Sequence, residues 1–486
     1  MTLYRWGWPA VAVAGAASLG LYAAWVLVPP GTVYFGGDQA RLFEQASDLL
    51  HGHMVYTGPY SKGDRFHPGP AYFFLIAAAQ LLSGGGIVGT TLITSAIKAL
   101  TVAALSLLTY RLFGSVVLAA AAPFTVAVSY WFVLYLKIEW NPAIVLPFFA
   151  LGAWAALEAA AGSAVGLVTC VLAISVAVQS HLAVAPPGAV LLTAALGAFL
   201  IARRDGRRTA LWATGLAAAL LWLPAAIDAV RHRGGNAWRI VRDLGATDER
   251  QSLAEAWTFT RGLIDSALPF GRATDELVLA LSAVALAAGA LWWRGRRPQV
   301  VWLTVMLAGA WGSFVWSVLR IPGEIENYYL IHLWIVLAVT LAGGAGVLVE
   351  AAGTTAARKE LAAGVLVAAW CVAAAPSAHM TWLRFSVPTW NPYPLEQQLA
   401  IIDVIEAREP ARRALPIDYY PAFSGFGPSF DVLLRRAGYT PQPHRGIGAY
   451  RVLSRREYDA LGGAPVDGGQ ALLENDTYVL EFIPTR

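Results

Sequence analysis

The chain has 486 residues, of which 57% are hydrophobic and 14% charged, with a mean hydropathy of +0.54 and a formal net charge of +4. That balance excludes an ordinary soluble domain, and the repeated apolar runs of spanning length define a polytopic α-helical membrane protein. The positive excess sits in Arg clusters of the kind that mark cytoplasmic loops, so no nucleic-acid partner is implied.

At the N-terminus Arg5 precedes the apolar run Trp6–Val28, with no small-residue cleavage site before Pro29-Pro30, so the segment is expected to stay on as a signal anchor. Apolar segments follow one another near 8–28, 69–83, 88–110, 115–136, 142–161, 164–182, 184–202, 209–228, 274–293, 300–318, 331–351 and 361–378. Cys170 and Cys371 both fall inside such segments and read as small core residues, not as a disulfide or metal pair.

Orientation follows from the basic loops. Arg5, Arg111, the run Arg203–Arg208, Arg294 with Arg296 and Arg297, and Arg358-Lys359 belong on the cytoplasmic side. If every segment crossed, Arg111 and the Arg203–Arg208 run would face outward. Removing the shortest segment, 69–83, which begins among prolines and ends in Ser83-Gly84-Gly85-Gly86, repairs both. It is therefore expected to be re-entrant or interfacial, leaving 11 crossings among about 11–12 membrane segments. Ala-rich helices with far more Arg than Lys point to a GC-rich bacterial source and hence to the bacterial inner membrane.

This topology gathers several polar stretches on the outer face: 29–67, 137–142, 179–181, 229–273 and 320–329. Residues 1–378 form the membrane domain. From 379 to 486 the composition changes, with helix-like Leu395–Arg408 and Asp431–Ala437 alternating with strand-like Tyr450–Ser454 and Tyr478–Ile483, which predicts a small extracytoplasmic α/β domain.

The first outer loop carries the densest chemistry. Asp38 follows two glycines and opens a helix whose Leu42, Phe43, Ala46, Leu49 and Leu50 recur on one face, with Gly52 as its stop. Such a helix suits the membrane boundary, its apolar face in lipid or against other helices. Asp38 reads either as an N-cap or as a base or metal ligand, and the two roles are compatible. Glu139, before the turn Trp140-Asn141-Pro142, is either a surface acid partnered by Lys137 or a second acid sharing general-base and metal-ligand work with Asp38. His67 either caps the following turn or joins Lys62 and Arg65 in a phosphate site, to which Arg320 is able to contribute. Snorkelling is the alternative reading of these cations. His181, beside Gln179, together with Glu326, Asn327 and Tyr328, are candidates for contact with a headgroup or sugar, against the alternative of an interfacial aromatic belt.

The order Gly37-Asp38, Asp48-Leu49-Leu50-His51-Gly52 and His67-Pro68-Gly69-Pro70, followed by Arg111-Leu112-Phe113-Gly114 and Glu139, resembles the membrane-embedded GT-C glycosyltransferases, in the family-39-like branch of protein O-mannosyltransferases and aminoarabinose transferases. The motifs cover about residues 1–230, and His-Pro-Gly-Pro departs from the His-Pro-Pro of that branch. The resemblance implies transfer of a sugar from a polyprenyl-phosphate donor to a lipid, glycan or protein acceptor on the extracytoplasmic side. In that scheme Asp38 is the general base and Glu139 an assisting or metal-binding acid. Lys62, Arg65, His67 and Arg320 correspond to the phosphate contacts, and a divalent metal (Mg, Mn or Ca) is a possible cofactor. The alternatives are a transporter or flippase of a lipid-linked glycan, disfavoured because the crossings read as nearly free of charge, an O-antigen ligase or polymerase carrying its Arg/His-rich loop at 229–273, and a non-catalytic assembly subunit.

Overall fold

The structure is a computed structural model. It describes residues 8–27, 33–61, 65–121, 127, 129–203, 205–245, 251–267, 272–292, 298–320, 327–352, 355–386, 391–410, 414–420, 426–443, 449–460, 463, 465 and 470–483. Lys62 and Glu326 lie outside the described residues, as do the side chains of Asn327 and Tyr328.

The chain is mostly helical. In order come α1 (Trp8–Tyr22), α2 (Gly37–Leu50), a two-stranded hairpin of β1 (Tyr60–Ser61) and β2 (Arg65–Phe66), α3 (Ala71–Leu82), α4 (Ile87–Phe113), α5 (Val116–Ala121) and α6 (Tyr130–Lys137). These are followed by α7 (Asn141–Ala160), α8 (Ala164–Ser180), α9 (Ala185–Ala202), α10 (Arg207–Arg231), α11 (Gly235–Gly245), α12 (Leu253–Ala267), α13 (Arg272–Trp292), α14 (Pro298–Val318), α15 (Leu333–Ala352) and α16 (Ala356–Phe385). Among the described residues seven helices are long and apolar enough to span a bilayer, and four shorter apolar helices, α1, α3, α8 and α13, accompany them. The chain is a multi-pass membrane protein.

Helix α3 has 12 residues. At 1.5 Å per residue it reaches about 18 Å, short of the roughly 30 Å of a hydrocarbon core. Of the stretch 115–136, expected as one crossing, the described residues include α5 and most of α6, and residues 122–126 and 128 lie outside them.

Two sets of contacts define opposite ends of the bundle. Arg111 at the C-terminal end of α4 pairs with Glu158 at the end of α7 at 2.6 Å, and Arg203 after α9 donates to the Gly162 carbonyl before α8 at 3.0 Å. Arg111 and Arg203 therefore share one end, as the charge pattern requires. Glu139, His181 and Asn236 lie at the other.

The C-terminal part is a small sheet unit. Helix α17 (Leu395–Arg408), β3 (Ala414–Tyr420), α18 (Gly427–Arg436), β4 (Thr440–Pro443), β5 (Ala449–Ser454), α19 (Arg455–Ala460), β6 (Gln470–Glu474) and β7 (Tyr478–Ile483) build a sheet of order β4-β3-β5-β7-β6. Strands β4 and β5 run parallel to β3, and β7 pairs antiparallel with both β5 and β6. Its core is shared with the first loop: Phe35, Ala40 and Phe43 of the α2 region pack among Ile401, Ile402, Phe430 and Leu434. The other side of α2, through Leu42 and Ala46, packs on Tyr72, Phe73 and Ile76 of α3. Helix α2 is thus held between protein surfaces, the second of the two environments its amphipathic pattern allows. Arg435 closes the contact on Glu44 at 2.6 Å.

Candidate active site at the outer loops

The site is built on the start of α2. Gly36 is its N-cap in an extended conformation, and the helix begins at Gly37. Asp38 is therefore not the N-cap that its position after two glycines suggests. It lies in the first turn, exposed, where the helix dipole favours a carboxylate. Gly36 has no side chain with which to cap. Gln39 supplies half of a capping box instead, its Oε1 accepting from the Gly36 amide at 3.2 Å. At the far end Gly52 adopts φ +86°, the left-handed stop expected of it.

Three stretches of backbone meet beside Asp38. Tyr34 bridges in parallel to Ile138 and antiparallel to Pro394. The Phe35 amide donates to the Tyr393 carbonyl at 2.9 Å, and Gln398 Nε2 donates to the Phe35 carbonyl at 2.9 Å. On the opposite flank Gln39 Nε2 donates to the Glu139 carbonyl, also at 2.9 Å. Tyr34 packs edge-on against Tyr393, and burial first, then the fields of Tyr393 and Asp38, push its hydroxyl above the usual phenolic range. The Asp38 carboxylate is thus presented near Tyr34.

Glu139 is close by in backbone but its side chain is elsewhere. It is 5% exposed and turns inward, where Tyr72 and Thr94 donate to its two oxygens and Lys98 Nζ stands 3.7 Å away. Lys98 also donates to the Ile138 carbonyl at 2.7 Å. The expected partner, Lys137, instead sits over the Phe385 ring at 5.8 Å. With both oxygens engaged and a cation alongside, the Glu139 carboxylate does not fit a divalent ion. Among the described residues no group of three or more His, Cys, Asp or Glu is arranged to hold one.

The histidines are latches. His67 is buried, its Nδ1 accepts from the Leu182 amide at 3.1 Å, and its ring lies 5.1 Å from that of His181. Burial, then the neighbouring His181 and Arg65, hold it well below its ordinary pKa. In this arrangement the His67 imidazole is neutral and carries no positive charge of its own. His181 donates through Nε2 to the Tyr329 carbonyl at 2.9 Å, and burial lowers its pKa to about 4. Both are neutral in the fold but titrate near 6.5 when unfolded, so the unfolded chain takes up more protons as pH falls. The contribution of each is complete above pH 6.5 and falls away below it, that of His181 being lost on descent towards about 4. The melting midpoint should be flat between pH 7 and 8 and fall between 6.5 and 4. Substituting both histidines by Gln should flatten that fall.

Two amides complete the frame. Gln179 Oε1 accepts from Ala71, the first residue of α3, at 3.2 Å, and its side chain lies so close to Gly69 that any Cβ there would collide with it. This explains the glycine in His67-Pro68-Gly69-Pro70. Asn236 at the start of α11 clamps β2 by accepting from the Phe66 amide at 2.9 Å and donating to the Phe66 carbonyl at 2.8 Å. Asp228 in turn accepts from the Asn236 amide at 2.9 Å. Asn236 thereby fixes the strand that carries Arg65, which is half-buried. Arg320 lies over the Trp316 ring at 5.6 Å, after the end of α14. The structure therefore brings Asp38, Glu139, His67 and His181 to one end of the bundle, with only Asp38 of these presenting an exposed acid.

The short α3, the α2 loop beneath a small sheet unit and the many-helix membrane body together form an architecture found in solved structures. Crystal structures of ArnT from Cupriavidus metallidurans carry the same architecture. The structure bound to undecaprenyl phosphate aligns with a TM-score of 0.57 at 13% identity, and the apo structure with 0.57 at 14%, each over 97% of both chains. At that identity the likeness is one of fold. No protein-family model matches the chain, and no curated protein matches it by sequence.

Proposed function

We propose that this chain is an integral membrane glycosyltransferase that takes a sugar from a polyprenyl-phosphate donor and passes it to an acceptor hydroxyl at the outer-loop end, on the extracytoplasmic side. The observation that carries the reading is the exposed Asp38 carboxylate in the first turn of α2, held between the 138–139 and 393–398 segments. The side is supported by Arg111 and Arg203, basic residues at the opposite end of the bundle, where the positive-inside rule would put the cytoplasm. The donor class is brought from ArnT, whose structure holds undecaprenyl phosphate.

The step is a single in-line displacement with inversion. Asp38 takes the acceptor proton as the acceptor oxygen bonds to the anomeric carbon, while the bond from that carbon to the phosphate oxygen breaks and its electron pair leaves with the phosphate. The charge gathering on the phosphate needs fixed cations. Arg65, Lys62 and Arg320 are the residues assigned to it, with no step drawn through a metal.

Purified protein in detergent micelles, given synthetic undecaprenyl-phosphate pentose and hexose donors and an acceptor lipid extract, should release undecaprenyl phosphate from at least one donor. Release that persists without acceptor at the full rate, or from no donor at all, would reject the proposal.

A further inference from the structure

We infer that Gln39 is the positioning residue for Asp38, and that the buried cluster of Glu139, Lys98, Tyr72 and Thr94 acts by fixing the carbonyl on which Gln39 rests. The inference rests on the reading of Asp38 as the base.

Gln39 follows Asp38 directly, and it is 5% exposed while Asp38 faces out. Its carboxamide is used at both ends, Oε1 by the Gly36 amide and Nε2 by the Glu139 carbonyl. One planar group therefore ties the residue two before Asp38 to a segment 100 positions further along the chain. A helix start has spare amides and few internal bonds, so its first turn is easily displaced unless something outside holds it.

What holds it must itself be fixed. The Glu139 side chain points into the bundle and is pinned by Tyr72 of α3, Thr94 of α4 and the Lys98 ammonium. Lys98 also grips the preceding carbonyl, that of Ile138, at 2.7 Å, and Ser95 grips the one at Leu136 at 2.6 Å. Two transmembrane-side elements thus set the height of the 136–139 backbone, and Gln39 transmits that height to α2. This gives Glu139 a reason to be acidic without touching substrate: a carboxylate there is the counter-ion that lets Lys98 remain buried and hold the loop.

The test is Gln39→Met, which keeps the length and packing of the side chain and removes both hydrogen bonds. Misplacing a reacting group by about 1 Å costs on the order of 10²-fold. Gln39→Met should therefore lower kcat by about that factor while KM for the polyprenyl-phosphate sugar stays within about two-fold. The protein should elute as the parent does and stay folded at the assay temperature, with a modestly lower melting midpoint because the Gly36 amide and the Glu139 carbonyl each lose a buried partner. In an Asp38→Asn background the same substitution should cost nothing further, because the group it positions is gone. Full kcat in folded Gln39→Met protein, or losses that simply multiply in the double variant, would overturn the positioning role and leave the base assignment standing. Unimpaired transfer by Asp38→Asn alone would instead overturn the base assignment.

Discussion

Replacing Asp38 by Asn should lower transfer by about 10²–10⁴-fold, the range over which a positioned general base acts. Asn preserves the shape of the side chain and its place in the first turn of α2, but it cannot accept the acceptor's proton. The cost to the fold should be small, because Asp38 is exposed. Loss of its favourable position at the helix start is worth only about 0.3–1 kcal/mol. Initial rates of undecaprenyl-phosphate release, with the melting midpoint measured alongside, separate the two effects. The KM for the donor should be nearly unchanged, since the base contacts the acceptor. A rate within a few-fold of the parent, in protein that melts normally, would move the base to another residue.

The outline of this architecture was written in the sequence because it follows from bulk chemistry. Apolar runs of spanning length, the Arg-rich ends at Arg111 and Arg203, and the short Pro- and Gly-bounded segment that became α3 are all one-dimensional signals. So is the change in composition that precedes the sheet unit. Strands β3 and β4 escaped because Pro416, Pro441 and Pro443 argue against pairing, and the structure tolerates them around one sheet edge. The residues that frame the site were less visible. Gln39, Gln179, Asn236 and Gln398 act through carboxamides reaching distant backbone, and an amide in a sequence does not announce its partner. Lys98 did leave a signal, which the expectation of nearly charge-free crossings passed over. A lone Lys inside the 27-residue apolar α4 requires a counter-ion. Glu139, only two residues from Lys137, drew the wrong pairing because proximity in sequence is a weak guide where the chain is turning.

The Lys98–Glu139 pair carries the second large effect. Lys98 is 1% exposed and Glu139 5%, so neither can be rescued by water when its partner is removed. Lys98→Met fills the same space with an apolar chain and leaves a carboxylate buried without its cation, which should cost about 3–5 kcal/mol of stability. It also removes the donor that holds the Ile138 carbonyl, so the loop beneath Gln39 should loosen and transfer should fall with the melting midpoint. Adding Glu139→Gln should restore much of the stability, since the amide oxygen still accepts from Tyr72 or Thr94 and no charge is left stranded. Removing both members of a buried pair is commonly near neutral where removing one is not. Thermal melts of the two single variants and the double in the same detergent give the coupling directly. Strong coupling would mean that the acid in the second loop is retained as a counter-ion for the scaffold, and that the chemistry rests on a single exposed carboxylate. Additive losses would mean that Lys98 and Glu139 serve separate ends, and Glu139 would then have to be sought again among the groups that meet the substrate.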